Sequence, residues 1–276
     1  MGIQTQIKLI VLDLDGTAVQ PTGEVSSRLQ EAVVHAQALG TRVMLATGRM
    51  VQSARRYWLD LNLGPGPLIA YNGGHAVMMP QESTILRHSL SDAAAALVLR
   101  QALDHNLLAQ VYIGDEMWIS REDGRARHYI ESNHIPALVR TGVDIFDWPE
   151  SPLKILLQAD PDTLDRFRPL IEAKALALDF RVFKSQPDYL EVVRQGVGKG
   201  PALEEVCRSL GLDASSVMAI GDAENDADML LWSGFGVAMG QAPDSVKRSA
   251  RAVTASVEED GAALAIETWV LASSRA

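Results

Sequence analysis

A short run of bulky apolar residues that stops abruptly at an acid, Leu9-Ile10-Val11-Leu12 and then Asp13, constrains this chain more than any other feature. Apart from Lys8 at its start, the run 8–12 shows no alternation of polar and apolar positions. That suits a central parallel strand covered on both faces. After a Gly-Thr turn, Leu29, Val33, Ala36 and Leu39 recur at helical spacing over 26–39, and Gly40 stops the helix. Residues 42–46 form a second apolar strand, a helix reaches Leu61, and 67–71 give a third strand. This βαβαβ rhythm predicts a parallel sheet with right-handed crossovers.

The rhythm returns near the C-terminus, with a helix at 200–210 and a strand at 217–220 that ends in Gly221-Asp222. A short helix over 225–232, a strand over 234–239 and closing helices follow. The middle differs. Gly114-Asp115-Glu116 separates two short strands, and 180–184 can pair with 189–193 through the turn 185–188. Hairpins mixed with helices in a central block predict an α/β core at 1–82 and 189–276, interrupted by an inserted α+β domain at 83–188.

Ligands of open parallel sheets bind beyond the carboxyl ends of the strands. Asp13 with Asp15, Thr47 with Arg49, and Asp222 with Asn225 and Asp226 all fall at such ends. One acid there is commonly a turn former or helix cap; so many polar groups at the ends of three apolar strands point to a shared site. Asp13, Asp15 and Asp222 would repel one another without a cation, and an all-oxygen set favours Mg2+ over zinc. One carboxylate can then attack phosphorus, and a second, two residues on, can protonate the leaving oxygen and later deprotonate water. The Thr47 hydroxyl, the Gly48 N–H and the Lys199 ammonium are candidates to surround the phosphoryl oxygens.

Charge agrees with this chemistry. The formal net charge of -10 advertises no basic surface to nucleic acid or anionic lipid, so an anionic substrate needs a locally placed cation. Cys207, the single cysteine, excludes an intramolecular disulfide and a cysteine-rich zinc site, and its apolar neighbours mark a packed thiol. The first apolar run breaks at Asp13, too soon for a signal peptide or a membrane span, so a cytoplasmic protein is expected. His75, His105, His128 and His134 show no ligand spacing.

The order of motifs resembles the haloacid dehalogenase superfamily of phosphohydrolases, and within it the Cof-type branch with a C2B cap. Asp13-Leu14-Asp15-Gly16-Thr17 is similar to its DxDGT motif, and Ala46-Thr47-Gly48-Arg49 to the branch's ATGR. Lys199 in Gly198-Lys199-Gly200 matches the third-motif lysine, and Gly221-Asp222-Ala223-Glu224-Asn225-Asp226 the GDxxND motif. The resemblance implies a Rossmann-like parallel-sheet core with an inserted α+β cap acting as a lid. It implies Asp13 as nucleophile and Asp15 as general acid and base. Mg2+ would be held by the Asp13 carboxylate, the Asp15 carbonyl and Asp222. Thr47, Gly48, Lys199, Asn225 and the Leu14 N–H would bind phosphate, while Asp226 orients Lys199 or a metal-bound water. Arg49 either reaches substrate or pairs with a core carboxylate, and Asn72 in Tyr71-Asn72-Gly73-Gly74 is a candidate to line the substrate cavity. The expected activity is hydrolysis of a small phosphorylated metabolite, such as a sugar phosphate or a phosphorylated cofactor. Alternatives are a phosphomutase, or a non-catalytic relative that would be marked by loss of either first-motif aspartate; both are present.

Overall fold

The computed structural model describes residues 6–133, 135 and 137–272; Met1–Thr5 and His134 lie outside them. Two compact units are formed, one from 1–86 with 198–276 and the other from 87–197. The second therefore interrupts the first in sequence.

In the first unit, β1 (Leu9–Leu12) leads through α1 (Ser27–Ala38) to β2 (Arg42–Ala46), and α2 (Val51–Asp60) leads to β3 (Gly66–Ala70). β4 (His75–Met79) and β5 (Ser83–Arg87) follow. The α1 helix starts where its sequence says it must, because the Ser26 hydroxyl accepts from Leu29 N–H at 3.2 Å.

The second unit contains α3 (Asp92–Asp104), β6 (Leu108–Ile113), β7 (Glu116–Ile119), α4 (Gly124–Asn133), β8 (Leu138–Val139) and β9 (Lys154–Gln158). It ends with α5 (Pro161–Ala175), β10 (Phe180–Gln186) and β11 (Tyr189–Arg194). The chain then returns through α6 (Lys199–Ser209), β12 (Val217–Gly221), α7 (Ala227–Trp232), β13 (Phe235–Ala238) and β14 (Ala252–Val253).

Among the described residues, the first unit holds an eight-stranded sheet of order β14-β13-β12-β1-β2-β3-β4-β5. It is parallel from β14 to β3, and β4 turns back antiparallel on β3. β1 lies at its centre and is wholly buried, as its unbroken apolar run requires. The second unit holds a six-stranded sheet of order β10-β11-β9-β6-β7-β8.

The junctions fall later than the sequence boundaries of 82/83 and 188/189. β5 joins the edge of the eight-stranded sheet, and β11 lies between β10 and β9 in the six-stranded one. A boundary at 188/189 would cut the β10–β11 hairpin at its turn, yet hairpin pairing keeps both strands in one ladder.

One face of the six-stranded sheet, with Val111, Ile155, Leu157, Leu190 and Val192, packs into an apolar core with α3 and α5. Its other face is also buried but polar. There Gln110 donates to Gln158 at 2.8 Å, and Tyr112 lies 2.7 Å from Gln110 Oε1 and 2.8 Å from the Tyr129 hydroxyl. Lys154 pairs with Glu191 at 3.0 Å.

Candidate active site

The three strands whose ends carry the predicted acids and threonine are neighbours. β12, β1 and β2 lie side by side, with Leu12 opposite Ile220 on one flank and Leu45 on the other. Asp13, Thr47 and Asp222 therefore emerge together where the strands end. The Asp13 N–H still donates to the Ile220 carbonyl, at 3.0 Å, so the nucleophile candidate is held by the last rung of the ladder. Immediately beyond, the chain coils tightly, and the Ala18 and Val19 N–H groups donate back to the Leu14 carbonyl. Gly16 takes φ +82° there, and a Cβ on it would lie 2.4 Å from Asp222 Oδ2. Only glycine fits such a position.

Lys199 is the electrostatic centre of the cluster. Its ammonium is buried and lies 2.5 Å from Asp13 Oδ1 and 2.5 Å from Asp226 Oδ1. Burial alone would lower the Lys199 pKa, but Asp13 and Asp226 outweigh it and hold the group above its usual value. Its flanking glycines are explained by Asp228. A Cβ on Gly200 would come within 2.6 Å of the Asp228 backbone, and one on Gly198 would collide with the Asp228 carboxylate.

Asp226 serves a second purpose, because its Oδ2 accepts from the Asp222 and Ala223 N–H groups at 3.0 Å each. It thereby ties the loop after β12 to the lysine.

Asp13, Asp222 and Asp226 can each bring an oxygen within 4.8 Å of the others. Burial first, then Asp226, push the Asp13 carboxyl well above its ordinary value; Lys199 opposes this, while Asp222 and Asp15 add to it. Burial and Asp226 likewise push Asp222 up to about 6, against Lys199 and hydrogen bonds from Thr17 and Gln241. One ammonium among three carboxylates leaves excess negative charge in a dry site. The hard-oxygen donor set and that imbalance fit a cation such as Mg2+. The Asp15 carboxylate is not in this cluster. It points outward, paired with Arg49 at 2.6 Å.

The phosphate-loop candidates are held from the side of β3. The Thr47 carbonyl accepts from Asn72 N–H at 3.0 Å, and the Arg49 carbonyl from Tyr71 N–H at 3.0 Å. Tyr71 and Asn72 both take positive φ, 54° and 55°, a strained turn kept by these bonds. Asn72 is buried, and its Oδ1 accepts from Asn225 Nδ2 at 2.8 Å.

A family model described as haloacid dehalogenase-like hydrolase matches residues 10–266, nearly the whole chain. The chain belongs to the haloacid dehalogenase-like hydrolases. Two Bacillus subtilis proteins named as 5-amino-6-(5-phospho-D-ribitylamino)uracil phosphatases are 28% and 30% identical to it. The alignments cover 95% and 98% of this chain and 97% and 100% of those proteins. A crystal structure of a haloacid dehalogenase-like hydrolase from Bacteroides thetaiotaomicron is 30% identical, with a TM-score of 0.86 over 95% of this chain and 99% of that one. Membership in this phosphatase-rich family makes the chain a phosphoric monoester hydrolase.

Within this haloacid dehalogenase-like hydrolase, the fold brings together Asp13, Lys199, Asp222 and Asp226, and beside them Thr47, Gly48, Asn72 and Asn225. Of the two roles expected for Arg49, substrate contact or pairing with a core carboxylate, the structure shows the pair with Asp15. Gln241 and Asp228 were not singled out as site residues by sequence. Gln241 sits on a loop with no chemical motif of its own, and Asp228 meets the glycines flanking Lys199 only through the packing of α7 against α6. Two arginines near the start of α4 are paired with acids, Arg121 with Asp123 and Arg125 with Asp160. Cys207 is buried, with its thiol pushed up to about 11, as befits a packed residue and not a nucleophile.

Proposed function

We propose that this enzyme removes phosphate from a small phosphorylated metabolite, with Asp13 forming an aspartyl-phosphate and Mg2+ as cofactor. The carrying observation is the position of Lys199, whose buried ammonium bridges Asp13 and Asp226 beside Asp222. One ammonium buried among three carboxylates suits a phosphoryl group entering among fixed charges.

In this reading Lys199 fixes one Asp13 oxygen, and Oδ2 attacks phosphorus in line with the departing oxygen. As the Asp13–phosphorus bond forms and the ester bond breaks, Asp15 gives its proton to the leaving alkoxide. Water then attacks phosphorus, Asp15 takes its proton, and Asp13 departs as the carboxylate. The Thr47 hydroxyl, the Gly48 and Leu14 N–H groups, the Lys199 ammonium and the Asn225 amide receive the equatorial oxygens. Held by the Asp13 and Asp222 carboxylates and the Asp15 carbonyl, Mg2+ would neutralise the crowded acids and keep Asp13 ionised. Asn72 orients Asn225 from behind, and Arg49 holds Asp15.

The substrate class is a sugar phosphate or a phosphorylated cofactor, a reading supported by relatives named for a small phosphoribityl substrate. Among the described residues no helix is long and apolar enough to cross a membrane, and the acidic surface favours neither nucleic acid nor anionic lipid. A cytoplasmic site of action fits this substrate class.

Release of inorganic phosphate from p-nitrophenyl phosphate tests the proposal. Asp13→Asn should abolish turnover while preserving the fold, and EDTA should silence the parent until Mg2+ is restored. Turnover by Asp13→Asn near the parent rate would remove Asp13 from the mechanism; indifference to chelation would remove the metal.

A further inference from the structure

Gln241 lies on the turn after β13 and forms a three-way tie at the edge of the acidic cluster. Its Nε2 donates to the Gly16 carbonyl at 2.6 Å and lies 3.5 Å from Asp222 Oδ2. Its Oε1 accepts from the Val257 N–H at 3.1 Å. The amide can face only one way: a backbone N–H must meet the oxygen, and a carbonyl must meet the NH2. The turn carrying it is itself anchored, because Gly240 N–H donates to the Ala255 carbonyl at 2.9 Å and a Cβ on Gly240 would lie 2.8 Å from that backbone. On the far side of Asp222, the Thr17 hydroxyl donates to Oδ1 at 3.3 Å. Each oxygen of this carboxylate thus has its own donor.

From this arrangement we infer that Gln241 is a positioning residue of the cation site. It locks Asp222 against the Gly16 turn, whose preceding residue supplies the Asp15 carbonyl, and so sets the spacing between two of the oxygens that would hold Mg2+. The inference rests on the Mg2+ reading above. Donors that orient metal ligands from behind tune affinity because a carboxylate free to rotate must be re-ordered on binding. Gln241 is exposed and packs on backbone, so its replacement leaves the apolar core intact.

The experiment is calorimetric titration of MgCl2 into EDTA-stripped, dialysed protein without substrate, for the parent, Gln241→Ala and Gln241→Met. Methionine keeps the side-chain volume and removes every hydrogen bond. Both variants should bind Mg2+ about 10–100-fold more weakly than the parent. Their melting temperature in EDTA should stay near the parent's, while the rise produced by Mg2+ shrinks. With p-nitrophenyl phosphate, kcat should recover at high Mg2+ and KM should hold steady. Parent-like Mg2+ affinity in both variants overturns the role of Gln241 and leaves the metal reading standing, even if their stability falls equally with and without Mg2+. A parent that binds no Mg2+ overturns the metal reading and this inference with it.

Discussion

Arg49 grips Asp15 with two arms of its guanidinium, Nη2 at 2.6 Å from Oδ1 and Nε at 2.8 Å from Oδ2. The guanidinium is steadied in turn by α2, where Tyr57 presents its ring 5.1 Å away and Ser53 its hydroxyl at 3.3 Å. Ser53 and Tyr57 are four residues apart and share one helix face. This is a brace for the proposed acid and base, built before substrate arrives.

Arg49→Ala should therefore lower kcat by about 10–100-fold, a part of what general acid catalysis supplies. The loss should be greater for alkyl and sugar phosphates than for p-nitrophenyl phosphate, whose leaving group needs little protonation. Arg49→Lys should recover only part of the rate, because an ammonium cannot make two parallel contacts. Steady-state kinetics on both substrate types checks this. A rise in KM alone, equal for both, would make Arg49 a substrate contact instead.

Protons and Mg2+ should compete at Asp222. Burial raises this carboxyl to about 6 in the metal-free fold, against about 3.9 for an unfolded chain. Between those values the folded state holds the extra proton, so metal-free stability falls as pH rises, and the penalty is complete above about 6. Ligation needs the ionised carboxylate and removes the penalty. The Mg2+-dependent rise in melting temperature should be largest near pH ~8 and fade below pH ~6. Melts with and without Mg2+ across that range measure it, and an equal rise at both ends would contradict the assignment.

In the second unit, Glu191 offsets the burial of Lys154. Burial would lower the ammonium pKa, yet Glu191 raises it above its usual value, and the Tyr112 ring lies 4.7 Å from Nζ. Glu191→Ala should destabilise by about 3–5 kcal/mol, because the ammonium stays buried without its carboxylate. At about 2–4 °C per kcal/mol, thermal unfolding should register the change clearly. The double variant Lys154→Met with Glu191→Leu should restore much of the loss. If Glu191→Ala melts like the parent, this pair contributes nothing to holding the unit together.

Strand and helix identity in the core was legible because the cause is local. The unbroken apolar run Leu9–Leu12 suits a covered strand, Ser26 opens the helical spacing of 26–39, and Gly16-Thr17 marks a turn between them. The β4 and β5 strands were not legible, because their role is to extend a sheet edge that only the assembled sheet defines. The polar face of the six-stranded sheet was hidden for a similar reason. Gln110, Gln158, Lys154 and Glu191 come from three different strands, and only register places them together.

The candidate groups were legible in sequence alone, since Asp13, Thr47 and Asp222 follow apolar strands at whose ends a parallel sheet gathers its ligands, and Lys199 opens α6. Which groups touch was decided only in three dimensions. Lys199 meets Asp13 across 186 positions of chain, and Gln241 meets Gly16 across 225. Hydrogen bonds of a few ångströms depend on side-chain direction and loop packing, and neither is encoded in local spacing.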